Sequence, residues 1–179
     1  VWLNVLEVAA GKAKIHDKKV SNGLPLDVIG SGGDPAFSIQ LLTGHKASKH
    51  SIRRKINGKY SAPQEKEIGA LTKRTSKFIR RGLDRKAIVC CEIGKWDAPP
   101  GMINWHVYAI LGMKKGNVEI WNPWGYKYHF EPKGAPGLKN GYYIEGGRCS
   151  IPMKDFVKIF GVVTVENDST PQTNRVVLR

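Results

Sequence analysis

The apolar positions of this chain form short runs separated by Gly-, Pro- and Lys-rich breaks, and the period of each run predicts an element. Val1, Trp2, Leu3, Val5, Leu6, Val8 and Ala9 are apolar nearly all round, the pattern of a buried helix that Gly11 weakens or ends. A polar stretch from Asp17 to Gly23 follows. Gly30-Ser31-Gly32-Gly33-Asp34-Pro35 then predicts a flexible loop before residues 36–42, a short helix or strand. Residues 44–62 are basic and polar with no clear period. A stripe at Ile68, Leu71, Phe78 and Ile79 predicts a helix over residues 64–81, with Ser61 as N-cap, Pro63 near the first turn and Glu65 and Glu67 at its positive end. Arg80 and Arg81 suit its closing turn, and Gly82 is the expected stop.

The second half reads mainly as strands. Ala87-Ile88-Val89-Cys90-Cys91 is a short continuous apolar run, expected to be a buried strand. Residues 103–111 and Val118-Glu119-Ile120-Trp121, separated by Gly112, Lys114, Lys115, Gly116 and Asn117, predict a hairpin. The chain is then expected to be irregular through Pro132, Gly134, Pro136, Gly137 and Gly141. A short helix near residues 153–160, a last strand at Val162-Val163-Thr164-Val165 and a polar tail from Asn167 complete the pattern.

Composition and charge change this picture. The net charge of +14 is concentrated from Lys46 to Lys86, where fourteen Lys and Arg face Glu65, Glu67 and Asp84, a local balance of +11. That segment is either a solvated basic helix face or a surface for nucleic acid, anionic lipid or an acidic protein partner. Three cysteines, Cys90, Cys91 and Cys149, argue against a disulfide framework, and no CxxC suggests zinc. The Gly-rich loop lacks the Lys and hydroxyl that end a phosphate-binding loop. Val1 to Ala10 is too short to span a bilayer, so no membrane span is expected and a cytoplasmic location is favoured.

The candidate chemistry lies on the hairpin. His106 sits on its first strand and Asn122 at the end of its second, so cross-strand pairing brings an imidazole towards an amide. An amide that fixes the tautomer of a histidine base is two-thirds of a Cys-His-Asn centre, and an indole such as that of Trp124 shields the bond from water. Cys90 and Cys91, in an apolar run, read as buried and inert thiols, and Cys149 lies in a polar stretch with no catalytic setting. His16, His45, His50 and His129 form no metal-ligand spacing.

The stretch His106-Val107-Tyr108-Ala109-Ile110, followed by Val118 to Trp121 and by Asn122-Pro123-Trp124-Gly125, resembles the calpain-type branch of the papain-like cysteine proteases. There a Gly-His-Ala-Tyr strand precedes an Asn-Pro-Trp-Gly turn. Residues 151–160 look like that family's segment after the asparagine, Trp2-Leu3-Asn4-Val5-Leu6-Glu7 is similar to the helix after its nucleophile, and Ser31-Gly32-Gly33 resembles its inter-lobe loop. The resemblance spans roughly residues 1–166.

It implies an α+β, papain-like fold. Residues 1–33 would end the helical lobe, 34–166 would form a barrel-like sheet lobe with flanking helices, and 167–179 would be a tail or linker. It implies a cysteine-type endopeptidase acting on peptide or protein substrates, with His106 as base, Asn122 orienting it, Trp124 covering the pair, and Gly32, Gly33 and Trp105 at the substrate. The nucleophilic cysteine of the family lies upstream of the Trp2 helix, so it is expected on an N-terminal segment, and the chain alone is expected to be inactive. Calcium enters only through the resemblance, and no acidic calcium loop can be matched. Trp105 and Val107 replace the small residues that flank the family's histidine. The other expectation is a non-catalytic protease-like module that binds nucleic acid or an acidic partner through its basic face.

Overall fold

The computed structural model describes residues 33–56, 59–96, 98–125 and 127–167. The expected Trp2 helix, the first half of the Gly-rich loop including Gly32, and the tail from residue 168 lie outside the described residues.

Helix α1 spans Pro35–Thr43; Asp34 caps it by accepting the Ala36 N–H at 2.9 Å, and Gly44, in the left-handed region, ends it. Strands β1 (Ala47–Ser51), β2 (Arg54–Ile56) and β3 (Lys59–Ser61) follow, then the long helix α2 (Glu65–Asp84) and β4 (Val89–Ile93). The hairpin is β5 (His106–Lys114) and β6 (Asn117–Trp121). Strands β7 (Ile144–Glu145) and β8 (Arg148–Pro152), helix α3 (Met153–Ile159) and β9 (Val162–Glu166) complete the order.

Seven strands form one sheet in the order β1-β9-β4-β5-β6-β8-β7, every neighbour antiparallel, while β2 and β3 pair separately. The fold is therefore α+β. β1 and β7 do not pair with each other, so the sheet is open rather than a closed barrel. One face carries the core. Val89, Cys91 and Ile93 of β4, Tyr108 and Ile110 of β5, Val118 and Ile120 of β6, and Ile151, Val163 and Val165 are buried there with Ile68, Leu71 and Ile79 of α2 and Phe156 and Phe160 at α3. Alternation along each strand sends Cys90, Glu92, Val107 and Ala109 to the opposite face.

Three local expectations change. Ser61 is not the cap of α2, since it belongs to β3 and its hydroxyl donates to the Arg54 carbonyl. The cap is Gln64, which forms a reciprocal capping box with Glu67. Nor does Gly82 stop the helix. It lies inside α2, where an added Cβ would come within 2.7 Å of Val165 Cγ1 and 2.9 Å of Val89 Cγ2, so its small size lets α2 sit close to β4 and β9. Residues 44–62 hold three strands, of which β1 has no clean inside–outside alternation.

Candidate active site

β5 and β6 deliver the two key side chains. Ala109 pairs with Trp121, and continuing that register sets Tyr108 across from Asn122 and His106 across from Trp124. Imidazole and amide are then diagonal neighbours on one face, within reach of each other. His106 Nε2 lies 2.9 Å from Asn122 Oδ1.

The turn fixes which way the amide faces. Asn122-Pro123-Trp124-Gly125 is a β-turn closed by the Gly125 N–H on the Asn122 carbonyl at 3.1 Å, and the Trp124 N–H donates to Asn122 Oδ1 at 3.0 Å. A backbone N–H can only donate, so the atom it meets must be the amide oxygen. The same oxygen faces His106, and Nε2 must therefore carry the proton. Nδ1 of neutral His106 is left as a bare lone pair, with no hydrogen-bond partner among the described residues. This is the protonation state of a base. Asn122 is 1% exposed, and its Nδ2 has no partner among the described residues, so holding the amide in this orientation costs about 1–3 kcal/mol.

Aromatic edges hold the ring in place. Trp124 meets His106 at 4.6 Å between centroids and 60° between planes, and Tyr108 meets it edge-on at 4.9 Å and 87°. The Tyr108 hydroxyl accepts the Ile103 N–H at 2.9 Å, which ties the loop before β5 to the strand. Behind the Asn turn stands Gly147, a residue whose role no local sequence signal assigned. Its carbonyl accepts the Asn122 N–H at 2.8 Å, and an added Cβ would stand 2.9 Å from the Asn122 carbonyl oxygen and 3.0 Å from that of Gly125. Gly146 and Gly147 both have positive φ (56° and 79°) in the two-residue turn between β7 and β8. The Gly-Gly pair is the one cue in the sequence.

Two cavities of about 420 Å³ each meet at His106. Gly33, Trp105, His106 and Val107 line both. The first is largely apolar, with Phe37, Leu41, Leu42, Ile88 and Cys90, and the second adds Tyr60, Glu92, Lys95 and Trp96. Burial raises the Glu92 carboxyl above the usual range. Trp105 is 72% exposed with φ +54°, a left-handed conformation that costs a bulky side chain about 1–3 kcal/mol, and its N–H donates to the Gly94 carbonyl at 3.2 Å. Gly33 and Trp105 thus line both cavities beside His106, whereas Gly32 lies outside the described residues.

No hydrogen bond joins His106 to any of the three cysteines among the described residues, although Cys90 lines the first cavity with it and Cys91, paired with Tyr108, is its diagonal neighbour on the core face. Cys90 pairs with Ala109 while Ile93 pairs with His106, so three residue pairs, roughly 10 Å, separate them along the sheet. The odd offset also puts them on opposite faces. Burial pushes the Cys90 thiol up to about 11 and the Cys149 thiol up to about 12, and buried Cys91 stands well above its ordinary value. These thiols stay protonated and non-nucleophilic at neutral pH. No group of three or more His, Cys, Asp or Glu that could hold a metal occurs among the described residues, and no described helix is long and apolar enough to cross a membrane. His45 pairs instead with Glu166 at 2.6 Å, and His50 meets the Thr75 hydroxyl at 3.0 Å.

No family model matches this chain, and no curated protein sequence matches it.

Proposed function

We propose that this chain supplies the histidine–asparagine part of a Cys-His-Asn centre in a calpain-like, papain-fold cysteine endopeptidase, with the thiol on a segment outside this sequence. The observation that carries the reading is the His106–Asn122 bond, whose direction is set by the Trp124 N–H and which leaves Nδ1 free to accept a proton. Nδ1 takes the thiol proton, and the thiolate attacks the scissile carbonyl. The imidazolium then returns the proton to the leaving amine, and water repeats the sequence on the acyl-enzyme. Asn122 and Trp124 keep the ring oriented through both transfers. The exposed sides of Leu41, Leu42, Ile88 and Leu111 favour docking of the thiol-bearing segment. Asparagine in place of aspartate weighs against a transglutaminase-type acyltransferase.

Intact mass and subunit composition of the native protein, probed with a thiol-directed epoxide, test this. A second, noncovalently held fragment that takes the label, and loses it when His106 is replaced by Ala, is the expected result. Label on Cys90, Cys91 or Cys149, or robust cysteine-dependent proteolysis by the isolated chain, would sink the reading.

A further inference from the structure

The exposed side of α2 carries a second feature that the His106 chemistry does not use. Ile68, Leu71, Thr75, Ile79 and Gly82 are the buried residues of this helix. At about 100° per residue, Lys66, Lys73, Lys77, Arg80 and Arg81 fall within an arc of about 100° on the opposite side. All five are exposed, and none pairs with a carboxylate among the described residues. The acids of the first turn do not neutralise them, because Glu67 is held by Arg54 at 2.9 Å and Glu65 by Lys158 at 2.9 Å. Asp84, at the C-terminal end, is the single carboxylate on the arc. From Lys66 to Arg81 the row is roughly 22 Å long on a rigid helix.

We propose that this ridge binds the phosphate backbone of double-stranded nucleic acid without reading its sequence. Charge complementarity sets the partner: a duplex presents about one negative charge per 1.7 Å of its axis, so a row of five unpaired cations releases condensed counterions along its whole length. The positions between the cations favour a duplex over the other polyanions. Gly69 and Ala70 are exposed and small, so a phosphate chain can come close to the helix. No aromatic lies on the arc to stack the bases of a single strand. The apolar stripe of α2 is committed to the core, so the helix has nothing to insert into a lipid surface.

Binding of the full chain to a labelled duplex of about 20 base pairs, followed by fluorescence anisotropy between about 50 and 200 mM salt, tests the proposal. The expected slope of log K against log salt is about −4 to −5. The variant K73E/K77E/R81E should lose roughly a hundredfold or more in affinity, and the milder K73Q/K77Q/R81Q should lower the slope by about 3. The control K127E/K133E/K139E makes the same change in net charge as the Glu variant at exposed lysines away from α2, and should retain affinity within a few-fold. Thermal melts show that each variant folds. Equal losses in ridge and control variants would overturn the proposal. So would tighter binding, at the same salt, to a single strand of equal length, to phosphatidylserine vesicles or to poly-glutamate.

Discussion

Replacing Asn122 by Ala tests the argument that one amide oxygen sets the protonation of His106. That oxygen accepts two hydrogen bonds, from Trp124 N–H at 3.0 Å and His106 Nε2 at 2.9 Å, each worth about 1 kcal/mol net. Removing it also leaves the Trp124 N–H without an acceptor, a further cost of about 1–3 kcal/mol. Against this, the buried Nδ2, unpartnered among the described residues, disappears as well, which returns about the same amount. The two orphan terms offset each other, so the net loss is about 2 kcal/mol, well below what deleting a fully satisfied buried amide would cost. For a chain of this size that is a fall of about 4–8 °C in Tm.

Urea unfolding measures the energy, and nitrogen–proton correlation on the imidazole ring measures the tautomer. The unmutated chain should hold neutral His106 as the Nε2–H form, and Asn122→Ala should release it to a mixture. A wild-type ring protonated on Nδ1, or a variant that loses 5 kcal/mol or more, as deletion of a fully bonded buried amide would, would refute the assigned bond direction.

Three further substitutions probe the supports of the site. Gly147→Ala combines positive φ with a Cβ at 2.9 Å from the Asn122 carbonyl oxygen, so it should cost about 1–3 kcal/mol in urea unfolding and disturb the same ring signals. Gly82→Ala sets a helix-propensity gain of about 1 kcal/mol against contacts of 2.7 and 2.9 Å to valine methyls; overpacking of about 1–3 kcal/mol should win, and a rise in Tm would contradict the packing account. The Glu166 carboxyl is held below its usual range, first by the Ile88 N–H and also by His45. A depressed folded value gives stability that is present above the unfolded value of about 4.3 and lost as pH falls through the folded one. Glu166→Gln should therefore flatten the acid limb of stability against pH, and an unchanged limb would remove Glu166 from it.

What the sequence disclosed follows from how strongly each segment is patterned. α2 and β4 to β6 carry long apolar stripes or runs and are legible. β1 is not, because among the described residues Ala-Ser-Lys-His-Ser lies at the sheet edge and pairs only with β9, so its side chains need no alternation. β8 shows just Cys149 and Ile151 between polar residues, too few to distinguish a strand from a lead-in to α3. At the N-terminus of α2 the sequence points to Ser61, but the capping box between Gln64 and Glu67 sets the cap at Gln64. His106, Asn122 and Trp124 were readable because the hairpin alone puts them near one another. Gly147 arrives from a strand pair twenty-five residues beyond Asn122, which only the Gly146-Gly147 pair hints at in the sequence.

The least visible determinant is a single residue inside the hairpin itself. Ile110 pairs with Ile120 but Gly112 pairs with Glu119, so Leu111 is an extra residue, a β-bulge, and is 45% exposed. On the turn side of the bulge the residue of β5 opposite buried Val118 is Met113, an odd position. Beyond it the core-facing residues are Ile110 and Tyr108, even positions, and His106 continues that row. Without the extra residue the alternation would stay in phase with Met113, sending Val107 to the core face and His106 to the other side of the sheet, away from Asn122. Lys115 and Gly116, both with positive φ, fix the two-residue turn, so the register cannot slip there to compensate. Gly112, expected in the turn, lies within β5. It is the one sequence mark of the bulge, since a glycine in a strand interior commonly signals such an irregularity. The geometry of the candidate base thus depends on a phase shift five residues away that the hydrophobic pattern of the hairpin conceals.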